Sequence, residues 1–334
     1  MTNSRLYSHT DADIAKAYSL IASQIFDAVP DASDAVPDAS DAGAPPKMLI
    51  VAGSQGSGKT YLLEKSLLPS GRYNDFIRPY LPKYRTYHPQ YAQMIEHGVL
   101  HAYEHTEEFI WNLGKQIFED AFSKSYNIII ESALDSIDFA ALPAHAASKG
   151  YQFDVHLIGC KREFAHISTI ERALKSIEGQ EMERFVDMST IDDSMANAQS
   201  ILTAFENACA TSVGSTITLY ERGFGALRDR RVVCSSLCTK PSELIAQPIN
   251  DASGASIEPQ DQVMRIARTP EANKPCAFNN YARLVNAPIV SLDERGETLK
   301  ASHLALAKAE RCNEPVPYRV FNDLSAYIVK YVFR

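Results

Sequence analysis

Eight consecutive residues, Gly53-Ser-Gln-Gly-Ser-Gly58-Lys59-Thr60, fit the pattern G-x-x-x-x-G-K-[ST] at every position. The chemistry this arrangement can do is to grip a chain of phosphates. Gly53, Ser54, Gln55, Gly56, Ser57 and Gly58 let the backbone wrap so that successive N–H groups point inward at phosphate oxygens. Lys59 is placed to reach the outer phosphates, and the Thr60 hydroxyl is placed to bind Mg²⁺. The expected ligand is a nucleoside triphosphate with Mg²⁺.

Other side chains could complete a reaction. Asp75 and Arg78 lie soon after the first helix expected, in Asn74-Asp-Phe-Ile-Arg78. A carboxylate there can take the proton of an attacking hydroxyl or hold Mg²⁺, and Arg78 can meet phosphate or that carboxylate. A simple surface ion pair is the competing reading. Glu131 closes the apolar run Ile128-Ile-Ile130, so it should emerge at the carboxyl edge of a sheet, where such folds bind ligands. Arg172 and Arg184 are cations of the kind that stabilise a transferred phosphoryl group, although their position alone reads as ordinary surface. Arg222, Arg228, Arg230 and Arg231 form a basic stretch that either flanks the nucleotide or is a solvated face. His97, His101 and His105 recur every four residues on one expected helical face, but no fourth metal ligand accompanies them.

The elements that must carry these residues are legible from periodicity. Met48 to Ala52 is a buried-strand run leading into the loop, and 61–68 reads as the helix after it. Helices are predicted over 106–124, from Ser136 to Ser148, and over 162–177 and 192–210. Strands are predicted at 126–131, 153–159 and 215–220. Alternation of strand and helix implies an α/β fold of the phosphate-loop NTP hydrolase or kinase type, with a parallel sheet covered by helices on both faces. Residues 1–27 contain an amphipathic helix from residue 11, with Ile14, Tyr18, Ile21 and Ile25 in register. Residues 28–46 include Ala28-Val-Pro-Asp-Ala-Ser-Asp34 and its identical copy at 35–41, expected as an acidic linker. The core domain is expected at 47–225, followed by an irregular extension, 226–334, with no readable fold.

Composition narrows the partners. The chain has 334 residues and a net charge of −8, which argues against a general nucleic-acid binder because neutralising phosphates needs clustered Lys and Arg. No apolar stretch reaches membrane-spanning length, and the polar start has no signal-peptide core. The expected setting is cytoplasmic, with a secreted effector as the alternative. The six cysteines are scattered without a C-x-x-C pair and read as reduced thiols.

Taken in order, these pieces resemble the zeta-toxin family of phosphate-loop kinases, the toxin half of bacterial toxin–antitoxin modules. The resemblance runs over residues 47 to 222. It rests on the loop, Asn74-Asp75 with Arg78 and Pro82, Tyr126-Asn-Ile-Ile-Ile-Glu131, Lys149-Gly-Tyr151, Thr169-Ile-Glu-Arg172, and Arg184. It implies ATP as donor and UDP-N-acetylglucosamine as the nucleotide-linked acceptor. Asp75 would be the catalytic base, and Lys59 and Thr60 would serve ATP and Mg²⁺. Glu131 would hold the substrate, Arg172 and Arg184 would clamp phosphates, and a protein antitoxin would be the partner. Two departures concern the acceptor. Where the family often has Glu-Gly-Thr-x-Arg, this chain has Glu131-Ser-Ala-Leu-Asp135, reversing the charge, and Leu81-Pro82 replaces a His-Pro. An NAD-phosphorylating effector, a polynucleotide 5′-hydroxyl kinase and a non-catalytic nucleotide-gated interaction protein are the alternatives.

Overall fold

Met48 to Ala52 offers no hydrophilic face, and strand β1 (Lys47–Ala52) buries every one of those residues. A run of that kind belongs in the middle of a parallel sheet. The computed structural model, which describes residues 6–26, 44–179, 185–247 and 277–332, places it there. The tandem repeat at 28–41, Arg184 and Cys276 lie outside the described residues. The other strands are β2 (Ile128–Ser132), β3 (Gln152–Cys160), β4 (Thr216–Arg222), β5 (Arg230–Lys240) and β6 (Glu243–Ala246). Their order is β2-β1-β3-β4-β5-β6, and the first four are parallel, as the alternating pattern predicts. The last two run antiparallel, which the sequence reading did not foresee.

The helices are α1 (Asp11–Phe26), α2 (Lys59–Leu62), α3 (Tyr91–Ile95), α4 (Val99–His105), α5 (Glu107–Ser123) and α6 (Leu142–Ser148). They continue with α7 (Arg162–Glu178), α8 (Met188–Thr211), α9 (Ala277–Val285), α10 (Leu292–Glu310) and α11 (Tyr318–Val332). The two-residue period of β1 sorts its side chains between two cores. Met48, Ile50 and Ala52 join Phe109, Leu113 and Ile117 of α5 and Phe205 of α8. Leu49 and Val51 face Leu62, Leu63 and Leu67 beyond the loop. The helix expected at 61–68 starts two residues earlier as α2, then loosens into a π turn over Leu63–Leu67. The helix expected from Ser136 is split: a 3₁₀ turn precedes α6, whose Pro143 is tolerated only in a first turn. Helix α1 packs on the body, with Ile14, Ile21 and Ile25 buried and the Tyr18 hydroxyl donated to Asp120 of α5.

The extension is built into the same body, so the boundary at 225/226 divides the chain but not the sheet. Strand β5 pairs with β4 directly across it. Helix α9 lies on β3, where a Cβ at Gly159 would meet Leu284 Cδ1 at 2.7 Å. Helices α10 and α11 cover α7, with Ala305, Ala309, Val320 and Leu324 against Ile170, Ala173 and Leu174. Lys161–Glu294 at 2.7 Å and Lys330–Glu163 at 2.8 Å join the same elements. The inward face of α10 is Thr298, Ala301, Ser302, Ala305 and Ala309, a helical spacing carried by small residues that a search for large apolar side chains passes over. His97, His101 and His105 lie ring beside ring, tilted, with centroids 5.0 and 4.4 Å apart, and the Tyr7 hydroxyl is 3.0 Å from His101 Nε2. Among the described residues, no cluster of three His, Cys, Asp or Glu is arranged to hold a metal ion, and no helix is long and apolar enough to cross a membrane.

One half-buried carboxylate ties the connection after the π turn to the sheet. Asp154 of β3 accepts from the Tyr73 hydroxyl at 2.6 Å and from the Thr216 hydroxyl at 2.6 Å, and lies 3.1 Å from His156 Nε2. Burial alone would raise its pKa, but His156, Thr216 and Tyr73 together hold the carboxyl well below the usual range. A depressed native pKa stabilises the fold above the ordinary Asp value of 3.8, and that contribution is lost as the pH falls below it. We expect Asp154→Asn to lower unfolding free energy by about 2 kcal/mol at pH 7. The gap to the wild type should close progressively in urea titrations run below about pH 4.

Candidate functional site

The phosphate loop leaves β1 and is held open by contacts to its carbonyls. Gly56 has φ +77°, and a Cβ there would meet the Ala165 carbonyl oxygen at 2.1 Å, so glycine is required by both backbone and space. Lys59 Nζ donates to the carbonyls of Gly53 at 2.8 Å and Ser54 at 3.0 Å. Arg222, only 6% exposed, donates to the Gly56 carbonyl and, at 3.1 Å, to the Ser168 hydroxyl. Arg230 donates to the Gly58 carbonyl at 3.3 Å. Behind the loop, the fully buried Tyr281 of α9 accepts the Ser54 N–H at 3.2 Å, and burial pushes its hydroxyl up to about 12. The Ser57 hydroxyl is buried with no hydrogen-bond partner among the described residues.

A cavity of about 1450 Å³ opens over the loop, more than one small ligand needs. Its lining carries charges of both signs. Lys59, Arg172, Arg222, Arg228 and Arg230 stand around the loop and the end of β4. Burial first, and then repulsion from Arg222, push the Arg230 guanidinium below its ordinary pKa, a cationic crowding that an anion would relieve. Glu131, Asp135 and Asp138 line it as well, with Tyr80 and Trp111 among the aromatic side chains. Glu131, as expected, emerges at the carboxyl edge of β2. It accepts from the Thr60 hydroxyl at 2.8 Å and pairs with Arg78 at 2.8 Å. Asp135 accepts from the Gln55 side-chain amide at 3.0 Å. The Thr60–Glu131 pair is an oxygen donor set of the type Mg²⁺ takes beside substrate phosphates.

The structure therefore brings together Gly53 to Thr60, Arg78, Glu131 and Arg172, and separates Asp75 from them. Asp75 is exposed and accepts from Asn127 Nδ2 at 2.6 Å, just ahead of β2 at the amino edge of the sheet. From Asn127 to Glu131 an extended chain advances about 13 Å, so Asp75, expected as the catalytic base, lies toward the opposite edge of the sheet from Glu131. Arg184 falls outside the described residues. The basic stretch divides by the strand period: Arg230 turns to the loop, while Arg231 turns away to Glu221 at 2.6 Å. Tyr281 carried no signal in the sequence, since nothing local marks a tyrosine 227 positions from its partner.

A parallel sheet whose first strand feeds this loop, with the site at the carboxyl edge, defines a phosphate-loop kinase-like α/β protein. The family model for the zeta toxin matches residues 33–229, more than half of the chain, and the protein belongs to that family. The toxin PezT of Streptococcus pneumoniae serotype 4 is 24% identical over 128 residues, 38% of this chain and 50% of the relative. The chain thus spans about half the length of that curated relative. The structure reported with the PezAT chromosomal toxin–antitoxin system of S. pneumoniae is similar in fold, with a TM-score of 0.59 at 16% identity over 92% of this chain and 100% of that one. The AvrRxo1-ORF1:-ORF2 structure with ATP has a TM-score of 0.53 at 11% identity, over 96% of this chain and 86% of that one.

The loop geometry has a direct test. Gly56→Ala forces a Cβ into the Ala165 carbonyl and should weaken Mg-ATP binding at least ten-fold in isothermal titration calorimetry. It should also cost about 1–3 kcal/mol of stability in denaturant unfolding.

Proposed function

We propose that this protein transfers the γ-phosphoryl group of ATP to a hydroxyl of a nucleotide-linked metabolite, acting as a toxin. The observation that carries the reading is a single large cavity over the phosphate loop, lined by cations around the loop and by the carboxylates Glu131 and Asp135 bonded to Thr60 and Gln55. Membership of the zeta toxin family supports the kinase and toxin reading, and the AvrRxo1 structure with ATP supports the donor. UDP-N-acetylglucosamine is the first acceptor to try. Asp135, standing where a cation is expected, favours a second: a dinucleotide of the NAD type, whose ring needs no cation there. A protein antitoxin is the proposed partner, since one similar structure comes from a toxin–antitoxin system. The cytoplasm is the proposed setting.

The chemistry follows from the placed side chains. Loop N–H groups would hold the β- and γ-phosphates, and Lys59 would exchange the carbonyls of Gly53 and Ser54 for phosphate oxygens. Thr60 and Glu131 would hold Mg²⁺, which neutralises charge on the β- and γ-oxygens when bound. Arg172 lines the same cavity and would meet the spread charge of the transferring group. The acceptor oxygen forms its bond to the γ-phosphorus as the bond to the β-bridging oxygen breaks, and ADP leaves. The hydroxyl proton must then go to a carboxylate of the cavity lining. Glu131 is committed to Arg78 and Thr60, whereas Asp135 is bonded to the neutral amide of Gln55 at the loop's tip. Asp135 is therefore the proposed base.

Purified protein, Mg-ATP and a pooled metabolite extract, searched by mass for any species gaining one phosphate, test the reading. Asp135→Asn should slow transfer about 10²–10⁴-fold while keeping ATP affinity. Lys59→Ala should lose ATP binding, and Asp75→Ala should stay within about three-fold of the wild type, since an exposed surface carboxylate contributes little. No phosphorylated product from the wild type would sink the kinase reading. A dead Asp75→Ala with intact ATP affinity would return the base to that residue.

A further inference from the structure

Directly after Thr60, where a helix's first turn meets the cavity, stands Tyr61, 57% exposed. An aromatic ring left open at that point is not a core residue. Its ring is covered on one side by Arg230, whose guanidinium carbon lies 4.4 Å from the ring centroid. The same guanidinium is anchored to the loop at the Gly58 carbonyl, 3.3 Å away. It approaches so closely that a Cβ on Gly58 would meet Arg230 Nη2 at 2.7 Å. Arg230 Nε is buried and has no hydrogen-bond partner among the described residues. The result is an aromatic–guanidinium pair fastened to the rim of the loop, in a cavity large enough for two ligands.

We propose that the Tyr61–Arg230 pair is the platform on which the donor's nucleobase lies. The inference rests on the phosphate-donor reading and adds the subsite that would distinguish a nucleotide from a bare polyphosphate. In a loop of this type Lys59 addresses the outer phosphates, so the inner phosphate, ribose and base must depart on the side of the residues after Thr60. That is where Tyr61 stands. Asp135, bonded to Gln55 at the loop's tip, serves the acceptor in the reading above. A heterocycle leaving past Tyr61 meets a plane of matching shape, and the guanidinium adds attraction to its π face. Arg228 and Asp229 precede Arg230 on the same cavity wall and offer donors and an acceptor to the edge of the base. Arg222, the direct register partner of Arg230 on β4, braces the loop at the Gly56 carbonyl, so loop support and base stacking fall to different side chains.

Calorimetric titration of the full-length chain with Mg-ATP and with Mg-tripolyphosphate separates these roles. Tyr61→Ala should weaken ATP about ten-fold and leave tripolyphosphate within about two-fold, because only the nucleotide has a base to stack. Tyr61→Trp should keep ATP affinity. Equal weakening of both ligands in Tyr61→Ala would overturn the proposal in favour of a loop-propping role, and so would unchanged ATP affinity. A wild type that binds neither ligand would overturn the triphosphate reading itself and this one with it. A wild type that binds both, with an indifferent Tyr61→Ala, removes the platform alone. Thermal melts of each variant check folding, which an exposed side chain should not disturb.

Discussion

A phosphate loop is an electrostatic imbalance that the rest of the molecule has to support. Its N–H groups must stay unpaired toward the cavity, while the carbonyls they leave behind still need donors. Here those donors include three cations, the loop's own Lys59 for Gly53 and Ser54 and, from β4 and β5, Arg222 for Gly56 and Arg230 for Gly58. The loop is thus held open by side chains that themselves raise the positive potential in front of it. The same groups that satisfy the backbone prepare the site for an anion.

This support explains why the chain after the last parallel strand is part of the body. Arg222 closes β4, and Arg230 opens β5 in direct register with it, so the antiparallel turn delivers both guanidiniums to one loop. Helix α9 then returns behind β3, places Leu284 against Gly159, and sets the Tyr281 hydroxyl under Ser54. Helices α10 and α11 in turn clasp α7, the helix whose Ala165 carbonyl lies against Gly56 and whose Arg172 faces the cavity. Removing the extension would leave the loop without its rear contact and without one of its cations.

The carboxylates follow a different logic. Glu131 is fixed between Thr60 and Arg78, and this couples the end of the loop to the segment that carries Arg78. Asp135 is held by an amide, so its charge is uncompensated by any contact described around it. A carboxylate at that place puts negative charge at the loop's tip, and the proposed base and acceptor preference both derive from that one residue.

The sequence by itself determined the loop, the parallel strands that feed the carboxyl edge, and Glu131 at the end of β2. Those features are local: a motif, a two-residue period, a run of apolar side chains cut off by a carboxylate. It also marked α1, α5, α7 and α8, whose large apolar residues recur at helical spacing. It placed Asp75 in the site because Asp-x-x-Arg reads the same at either edge of a sheet. Only the bridge of Ile77 to Ile128 sets that aspartate at the amino edge, while Arg78 reaches Glu131. Tertiary structure alone decided that Arg230 faces the loop and Arg231 does not, and that α10 packs through alanine, serine and threonine. It alone brought Tyr281 beneath Ser54. These contacts join residues far apart in the chain, and their register depends on how strands pair and helices dock, which no local spacing records.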